Sequence, residues 1–533
     1  MLHSFSTPSV NKESLQSKAA EMATALSRPV LVLPGYLASL PVAGTELSWI
    51  VNRGVPASKL QASPIYQDNI VLTLKQNGFS NVNTVPYDWR LPLALNDGKR
   101  DGVLSKETAA VLTDSTLSSQ VQYLTSYLKT LIEQDPTITK VDLIGHSNGN
   151  NVIRAYMQSA GYGGSFISSS GKTLNLPTVG SFIQIAAPNE GAALAWNFWN
   201  NNVNNLTLAG SAGQKFIASL TYLYDFVKSP FTPITIKGPD RNINKASITD
   251  PVTGKANPTM FLRQYVPSLA TLNPTYNFLY DIKGNLSNIN SDPASANNLL
   301  LDLNALSKPG SNPWIANADA VYATYGVTLN TVTQDKTHVG PGGSIVSIGG
   351  NGKPVPTVDG QTWYSELSSA DSGDSVVPLA SLQTTFVGDR NITLKPWGNG
   401  APVSGLTFTP TTQPVDHSVG IVKNTDVLGW IAQQLKTNNP VAVGRGRIRT
   451  DAEAWDLITQ ATKAAASDNT SPKVAAIKST SLQPSTMLKS NQSLHQNLMV
   501  NAMQAPTNDA CFGANEPFPA AALFHPAALS ALT

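Results

Sequence analysis

A serine between two glycines is the feature of this sequence best suited to chemistry. It lies in Gly145-His-Ser-Asn-Gly149, which follows an apolar run at residues 141–144 and precedes a predicted helix. The pattern predicts a sharp strand-to-helix turn that strains the backbone of Ser147 and lifts its hydroxyl out of a sheet. Gly145 and Gly149 are required because side chains there would collide with the neighbouring strand or helix. The alternative is a chance match in a chain with 38 glycines.

Two backbone amides are candidates for binding an oxyanion beside this serine. The amide of Asn148 lies at the start of the predicted helix, where the helix dipole adds partial positive charge. A predicted buried strand at residues 30–33 ends in Pro34-Gly35, and the amide of Tyr36 follows it. Ligands bind at this carboxyl edge in open α/β sheets. We therefore expect the amides of Tyr36 and Asn148 to form an oxyanion hole.

A serine hydroxyl needs a base to become a nucleophile, and the chain has six histidines. His417 lies in a loop between a predicted late strand at residues 406–408 and a closing helix that ends near Leu435. This is the position of the base in folds of this kind. His146 is next to the serine and is expected to point back into the sheet, while His338 falls in a predicted insertion. The other three lie toward the chain ends: His3, His495 and His525.

The base in turn needs an acid that orients its ring, and the expected chain order is serine, acid, histidine. Asp374, in an acidic and glycine-containing turn at a strand end, is the predicted acid. Asp371 is the alternative. Asp416 is interpreted as structural, because a residue adjacent to the histidine usually cannot reach its ring.

Strand and helix signals alternate through the first part of the chain. Strands are predicted at residues 30–33, 82–87, 141–144 and 182–185, and helices at 66–76 and 117–132. This alternation is typical of a mainly parallel sheet flanked by helices, and together with the serine turn it predicts an α/β-hydrolase fold. Asp88 and Arg90, at the end of the second strand, are interpreted as an ion pair that supports a loop, with a catalytic pair as the alternative.

The alternation stops after residue 191, and a block rich in asparagine, proline and aromatic residues follows. We predict that this block is a cap or lid over the site, with Trp196 and Trp199 as candidates for substrate contact. A separate hydrophobic cluster without substrate contact is the alternative. The predicted segments are a lead-in helix at 1–28, a core at 29–191, the cap at 192–343, the second part of the core at 344–438, and a partly disordered C-terminal extension at 439–533.

Composition restricts the possible partners and compartments. A formal net charge of +2 gives no electrostatic reason to expect nucleic acid as a partner. The single cysteine, Cys511, excludes an internal disulfide and a thiolate metal cluster, and the predicted chemistry calls for no cofactor and no metal. The sequence shows no secretory signal and no apolar run long enough to span a bilayer, which predicts a soluble or peripheral protein. Charged residues make up only 13% of the chain, a composition that weakly suggests export.

These motifs, in this order, resemble the lecithin:cholesterol acyltransferase family of α/β-hydrolases, which includes phospholipid acyltransferases and phospholipases A. The resemblance spans roughly residues 29–435, and its most specific piece is Tyr87-Asp-Trp-Arg90. Asn148 stands where that family commonly has methionine. The motifs that carry the resemblance are Pro34-Gly-Tyr36, Pro86-Tyr-Asp-Trp-Arg90, Gly145-His-Ser-Asn-Gly149, Ala187-Pro-Asn-Glu-Gly191, the run from Arg263 to Pro274, Gly373-Asp-Ser-Val-Val377 and His417.

The resemblance implies a cap that handles the acyl chains of glycerolipids, with peripheral membrane contact through that cap. The leading hypothesis is a serine-dependent lipid acyl hydrolase or acyltransferase that works through an acyl-enzyme. A general carboxylesterase or triacylglycerol lipase is the alternative within enzymes. A non-catalytic binding protein on a hydrolase fold is the alternative outside them.

Overall fold

The computed structural model describes residues 28–200, 220–231, 233–280, 286–287, 296–305, 313–331, 334–339, 345–347, 355–356, 362–363, 367–368, 371–383, 391–399 and 407–438. The predicted lead-in helix at 1–28 lies outside the described residues except for its last residue, Arg28. The predicted C-terminal extension at 439–533 lies wholly outside them.

A sheet of seven parallel strands forms the centre of the fold. In chain order the strands are β1 (Val30–Leu33), β2 (Val82–Thr84), β3 (Lys140–His146), β4 (Thr178–Ile185), β5 (Ala318–Thr331), β6 (Ile392–Gly398) and β7 (Thr409–Pro410). Their spatial order is β7-β6-β5-β4-β3-β1-β2, and every neighbouring pair is parallel. A short additional strand, Asp371–Gly373, pairs antiparallel with β5. This is the α/β-hydrolase fold, and it confirms the predicted fold class.

The first strand shows why the sequence forms a buried parallel strand. All four residues of β1 have no exposed surface. Leu31 and Leu33 pack into one hydrophobic cluster, and Val30 and Val32 pack into another on the opposite face of the sheet. A strand covered on both faces reads as a continuous apolar run, as this one does. The chain proceeds from β1 to β2 on one side and to β3 on the other, and such a switch opens a crevice at the carboxyl ends of the strands.

Helices cover both faces of the sheet. Gln120–Gln134 begins at a capping box formed by Ser119 and Gln122, and with Gly149–Met157, here called the elbow helix, it contributes to one cluster. Leu72–Gln76, which continues the π-helical turn Tyr66–Val71, and Thr425–Asn438 contribute to the other cluster. The remaining helices are Glu46–Val51, Ala57–Lys59, Ala109–Leu112, Ala193–Trp199, residues 220–228, Ala246–Ile248, Pro258–Tyr265, Pro267–Leu272, Asn298–Leu303, Pro313–Ala316, Leu379–Gln383 and Gly420–Lys423.

Smaller sheets lie outside the central one. Ser39–Pro41 pairs with Leu60–Ala62, and Ser165–Ile167 pairs with Thr173–Asn175. A further set of short strands follows in the second half of the chain: Leu279–Tyr280, Leu286–Ser287, Gln334–Val339, Ile345–Ser347, Val355–Pro356, Thr362–Trp363 and Leu367–Ser368.

The place where the chain returns to the central sheet differs from the prediction. We expected the cap to run to residue 343 and core strands to resume at 344, but β5 already lies between β4 and β6. The strand Ile345–Ser347 pairs instead with Gln334–Val339, outside the central sheet. The prediction missed β5 because a central strand need not alternate apolar and polar residues, and this one mixes alanine, tyrosine and threonine. The last strand is Thr409–Pro410 rather than residues 406–408.

The other predicted elements of the core are present with small shifts at their ends. The helix predicted at 117–132 runs from Gln120 to Gln134, and the strand predicted at 82–87 is β2, which ends at Thr84. Within the described part of the chain, no helix has the length and apolar character needed to cross a bilayer.

Candidate active site

The turn between β3 and the elbow helix holds Ser147 in the left-handed region, with φ of +51°. A side chain at either flanking glycine would meet backbone atoms. A Cβ on Gly145 would lie 2.7 Å from the nitrogen of Asn150, and one on Gly149 would lie 2.5 Å from the carbonyl oxygen of Leu33. The predicted requirement for both glycines therefore has a direct steric cause, and the strain at Ser147 is an observed backbone outlier.

Three side chains from distant parts of the chain are joined by hydrogen bonds at this turn. The Oγ atom of Ser147 lies 2.8 Å from Nε2 of His417, and Nδ1 of His417 lies 2.7 Å from Oδ2 of Asp374. All three residues are buried. The structure thus brings together the serine, the histidine and the acid that the sequence analysis selected.

The loops that carry the acid and the base also hold each other by their backbones. The amide of His417 donates to the carbonyl oxygen of Asp374 at 2.7 Å. The second carboxylate oxygen of Asp374 accepts from the amides of Val376 and Val377, at 3.2 and 2.8 Å. Because a carboxylate is only an acceptor, Nδ1 of His417 carries a proton and Nε2 presents its lone pair to the Ser147 hydroxyl.

The two other acids near this site have different surroundings. Asp416 accepts from the amide of Val419 at 3.3 Å, next to the short helix Gly420–Lys423, so its role is local. Asp371 belongs to the short strand on β5, opposite Thr331, and its side chain lies outside what the structure describes.

The two amides predicted as oxyanion donors flank the serine turn. Among the described residues, neither the amide of Tyr36 nor that of Asn148 donates to a protein acceptor. The Asn148 side chain is held away from this position, because its Nδ2 donates to Oε1 of Gln120 at 2.8 Å and to the hydroxyl of Tyr87 at 3.3 Å. Tyr87 donates in turn to the carbonyl oxygen of Pro34 at 2.9 Å. These contacts connect the first residue after the serine with the loop that follows β1.

Asp88 and Arg90 form a fully buried ion pair. Nη2 and Nε of Arg90 lie 2.7 and 2.8 Å from the two carboxylate oxygens of Asp88. The guanidinium stacks over Trp49, 4.0 Å from its ring centroid, and donates to the Trp49 carbonyl and to the Tyr265 hydroxyl. Burial lowers the pKa of Arg90, but the attraction of Asp88 and Tyr265 outweighs it and raises that pKa above its usual range. The pair joins three segments, which agrees with the structural interpretation.

The two tryptophans proposed for substrate contact differ in environment. Trp196 is buried and packs against Phe278, with ring centroids 6.0 Å apart. Trp199 is half-buried beneath the guanidinium of Arg263, which lies 4.9 Å from its ring centroid. Trp196 therefore contributes to a small hydrophobic cluster, as the alternative interpretation of the cap expects, and contact of either ring with substrate stays a prediction.

Sequence reasoning missed the contacts of His146 and the contribution of Tyr66. His146 is nearly fully buried, and it bonds to the Tyr66 hydroxyl at 2.7 Å and to the backbone carbonyl of His417 at 2.7 Å. Burial lowers its pKa to about 3, and the nearby His417 lowers it further. Adjacency to the serine was a signal for His146, but Tyr66 is 80 residues away and carries no local signal. Among the described residues, no group of three or more His, Cys, Asp or Glu side chains is placed to hold a metal ion.

Comparison with known proteins places part of the chain in a family. The model of the family described as lecithin:cholesterol acyltransferase matches residues 56–205, which include the Tyr-Asp-Trp-Arg segment and the serine turn. The resemblance predicted from the motifs is thereby confirmed over this segment. None of the curated proteins compared with the sequence matches it.

Solved structures with a similar arrangement include several lipolytic enzymes. Lipase 1 from Pelosinus fermentans is 12% identical, with 78% of this chain and 100% of that chain covered and a TM-score of 0.30. EstA from Clostridium botulinum is 14% identical, with 78% and 87% covered and a TM-score of 0.30. Phospholipase PlaB from Legionella pneumophila is 10% identical, with 82% and 63% covered and a TM-score of 0.27.

Proposed function

Because residues 56–205 match the lecithin:cholesterol acyltransferase family, we propose that this α/β-hydrolase is a serine-dependent lipid acyl hydrolase or acyltransferase. Its substrates in this proposal are the ester bonds of glycerolipids, as in a phospholipase A or a related acyltransferase. Ser147 is the nucleophile, His417 the base and Asp374 the acid that orients it. The observation that carries the proposal is the unbroken pair of hydrogen bonds from Ser147 through His417 to Asp374.

The geometry supports the first chemical step. The lone pair on Nε2 of His417 accepts the hydroxyl proton as the oxygen of Ser147 attacks the ester carbonyl, and Asp374 stabilises the imidazolium that forms. The amides of Tyr36 and Asn148 donate to the carbonyl oxygen as it becomes negatively charged, and each such donor is worth about 3 kcal/mol in comparable enzymes. His417 then returns the proton to the leaving alcohol, and an acyl-enzyme remains.

The second step decides between hydrolase and transferase. Water or an alcohol attacks the acyl-enzyme, and His417 again acts as the base. The three side chains treat the two acceptors alike, so the choice depends on which acceptor the predicted cap admits. Peripheral contact of that cap with a membrane, which would deliver the lipid, belongs to the same proposal.

Labelling with a fluorophosphonate probe, which reacts with activated serines, tests the nucleophile. We expect the wild-type protein to be labelled at Ser147 and Ser147→Ala to lose about 10⁶-fold in turnover with its fold intact. Ser159→Ala is a matched control, because Ser159 is also a buried serine and its hydroxyl donates only to the carbonyl oxygen of Tyr156, at 2.6 Å. Absence of labelling in the wild type would favour a non-catalytic binding protein.

Product analysis tests the substrate. The protein is incubated with mixed phospholipids, with and without added alcohols, and with triacylglycerols and short-chain esters in parallel. Free fatty acid and lysophospholipid support a phospholipase A, and acylated alcohol supports an acyltransferase. Turnover of triacylglycerols or short-chain esters without turnover of phospholipids would favour the lipase or carboxylesterase alternative.

A further inference from the structure

We propose that Tyr66 and His146 are positioning residues that hold the base loop and the oxyanion loop against the serine turn, an inference that rests on the proposed function. A continuous chain of hydrogen bonds joins these parts. The amide of Gly35 donates to the Tyr66 hydroxyl at 2.9 Å, the hydroxyl lies 2.7 Å from Nδ1 of His146, and Nε2 of His146 lies 2.7 Å from the carbonyl oxygen of His417.

The directions of these hydrogen bonds follow from the chemistry of their ends. A carbonyl oxygen only accepts, so Nε2 of His146 must carry a proton and donate it to His417. In a neutral imidazole the other nitrogen is then an acceptor, so the Tyr66 hydroxyl donates to Nδ1. An oxygen of that hydroxyl remains free to accept from the amide of Gly35. Each group along the chain therefore has one role, and no member can reverse without breaking a bond.

The chain controls the two loops that chemistry needs most. The peptide groups of His417 are held on both sides, because its amide donates to Asp374 and its carbonyl accepts from His146. The bond to Gly35 orients the peptide just before the amide of Tyr36, which is a proposed oxyanion donor. A shift of either loop moves the base or the donor relative to Ser147, and displacements of about 1 Å can lower rates by about 100-fold.

The charge state of His146 suits a position beside the base. Its ring centroid lies 5.3 Å from that of His417, which must become positively charged during the reaction. A second cation at this distance would oppose that charge. Burial keeps His146 neutral, because it lowers the pKa of its ring to about 3. His146 can therefore support the base by hydrogen bonding without repelling the imidazolium.

Close packing leaves little freedom for the chain of hydrogen bonds to rearrange. A Cβ on Gly35 would lie 2.9 Å from Nδ1 of His146, 3.0 Å from Cβ of Ser147 and 3.3 Å from the hydroxyl of Tyr66. The oxyanion loop thus approaches the turn as closely as a glycine allows. A residue that only filled space here would not need hydroxyl and imidazole groups with matched donors and acceptors.

Tyr66→Phe, compared with Tyr123→Phe, is the first test. Both tyrosines are buried, and the Tyr123 hydroxyl donates to the carbonyl oxygen of Val55 at 2.6 Å, on the other face of the sheet from Tyr66. We expect similar falls in Tm for both variants. Tyr66→Phe should lower kcat on a p-nitrophenyl ester and the rate of fluorophosphonate labelling by about 10- to 100-fold with little change in KM, while Tyr123→Phe stays within about twofold of wild type.

A pair of substitutions at His146 separates its donor from its bulk. The side-chain amide of His146→Gln reaches about as far as Nε2 and keeps a donor for the His417 carbonyl, whereas His146→Leu keeps only apolar volume. We expect the glutamine variant to retain at least about tenfold more of the wild-type kcat than the leucine variant.

The outcomes of these tests are distinguishable. Labelling of Tyr66→Phe at the wild-type rate, or equal kcat for His146→Gln and His146→Leu, would overturn the positioning role while leaving the proposed function in place. A wild-type protein that is not labelled at all would overturn both. If His146→Leu does not fold, Tyr66→Phe against Tyr123→Phe decides the question alone.

Discussion

Replacing Asp374 by asparagine changes one atom of the proposed site, and the surrounding hydrogen bonds dictate how the new amide must lie. The Oδ1 position accepts from the amides of Val376 and Val377. An NH₂ group cannot accept these bonds, so the amide oxygen takes the Oδ1 position. The NH₂ group must then face Nδ1 of His417, where the carboxylate oxygen stood at 2.7 Å.

The consequence is a change of tautomer rather than a loss of structure. Nδ1 of His417 becomes the acceptor, so its proton moves to Nε2, which faces the Ser147 hydroxyl. In this form His417 cannot take the proton from the serine. By analogy with other enzymes that use serine, histidine and aspartate, we expect kcat to fall by about 10⁴-fold, equivalent to about 5.5 kcal/mol in the barrier.

Initial rates on a p-nitrophenyl ester, with Tm as a check of folding, measure the effect. Asp416→Asn is the matched control, because it also changes a carboxylate to an amide, one residue from His417, and it should alter kcat by less than about threefold. Asp371→Asn tests the alternative acid. If Asp374→Asn keeps more than about a tenth of wild-type kcat, or if Asp371→Asn is the more damaging change, the assignment of the acid is wrong.

Three further predictions concern stability. Arg90→Met should lower the free energy of unfolding by about 3–5 kcal/mol in urea titrations, because it leaves the buried carboxylate of Asp88 without its cation; a loss below about 1 kcal/mol would contradict this. Gly149→Ala should lower Tm strongly, since its Cβ would lie 2.5 Å from the carbonyl oxygen of Leu33; an unchanged Tm would show that the turn can relax. Burial raises the pKa of Glu107 from 4.5 to about 7, so the folded state keeps a proton that the unfolded chain releases, and wild-type stability falls as the pH rises through this range. Glu107→Gln should therefore raise Tm at pH 8 but not at pH 5, and a gain of equal size at both would refute the role of ionisation.

The parts of this protein that follow from local patterns were predictable from the sequence. The strand, the two glycines and the helix around Ser147 are adjacent in the chain, so their spacing alone indicates a strained turn. Continuous apolar runs indicated buried parallel strands, and the α/β-hydrolase fold followed from their alternation with helices. Elimination among only six histidines pointed to His417 before any coordinates were considered.

Tertiary structure decided what depends on contacts between distant residues. The choice of Asp374 over Asp371 rests on a bond to a histidine 43 residues away, and the contacts of His146 reach 80 residues back and 271 residues forward. Such bonds leave no periodicity in the sequence, since only the folded sheet brings their partners to one edge. The strand β5 escaped prediction for a related reason: burial on both faces removes the alternation that marks a strand, so only its pairing with β4 and β6 identifies it.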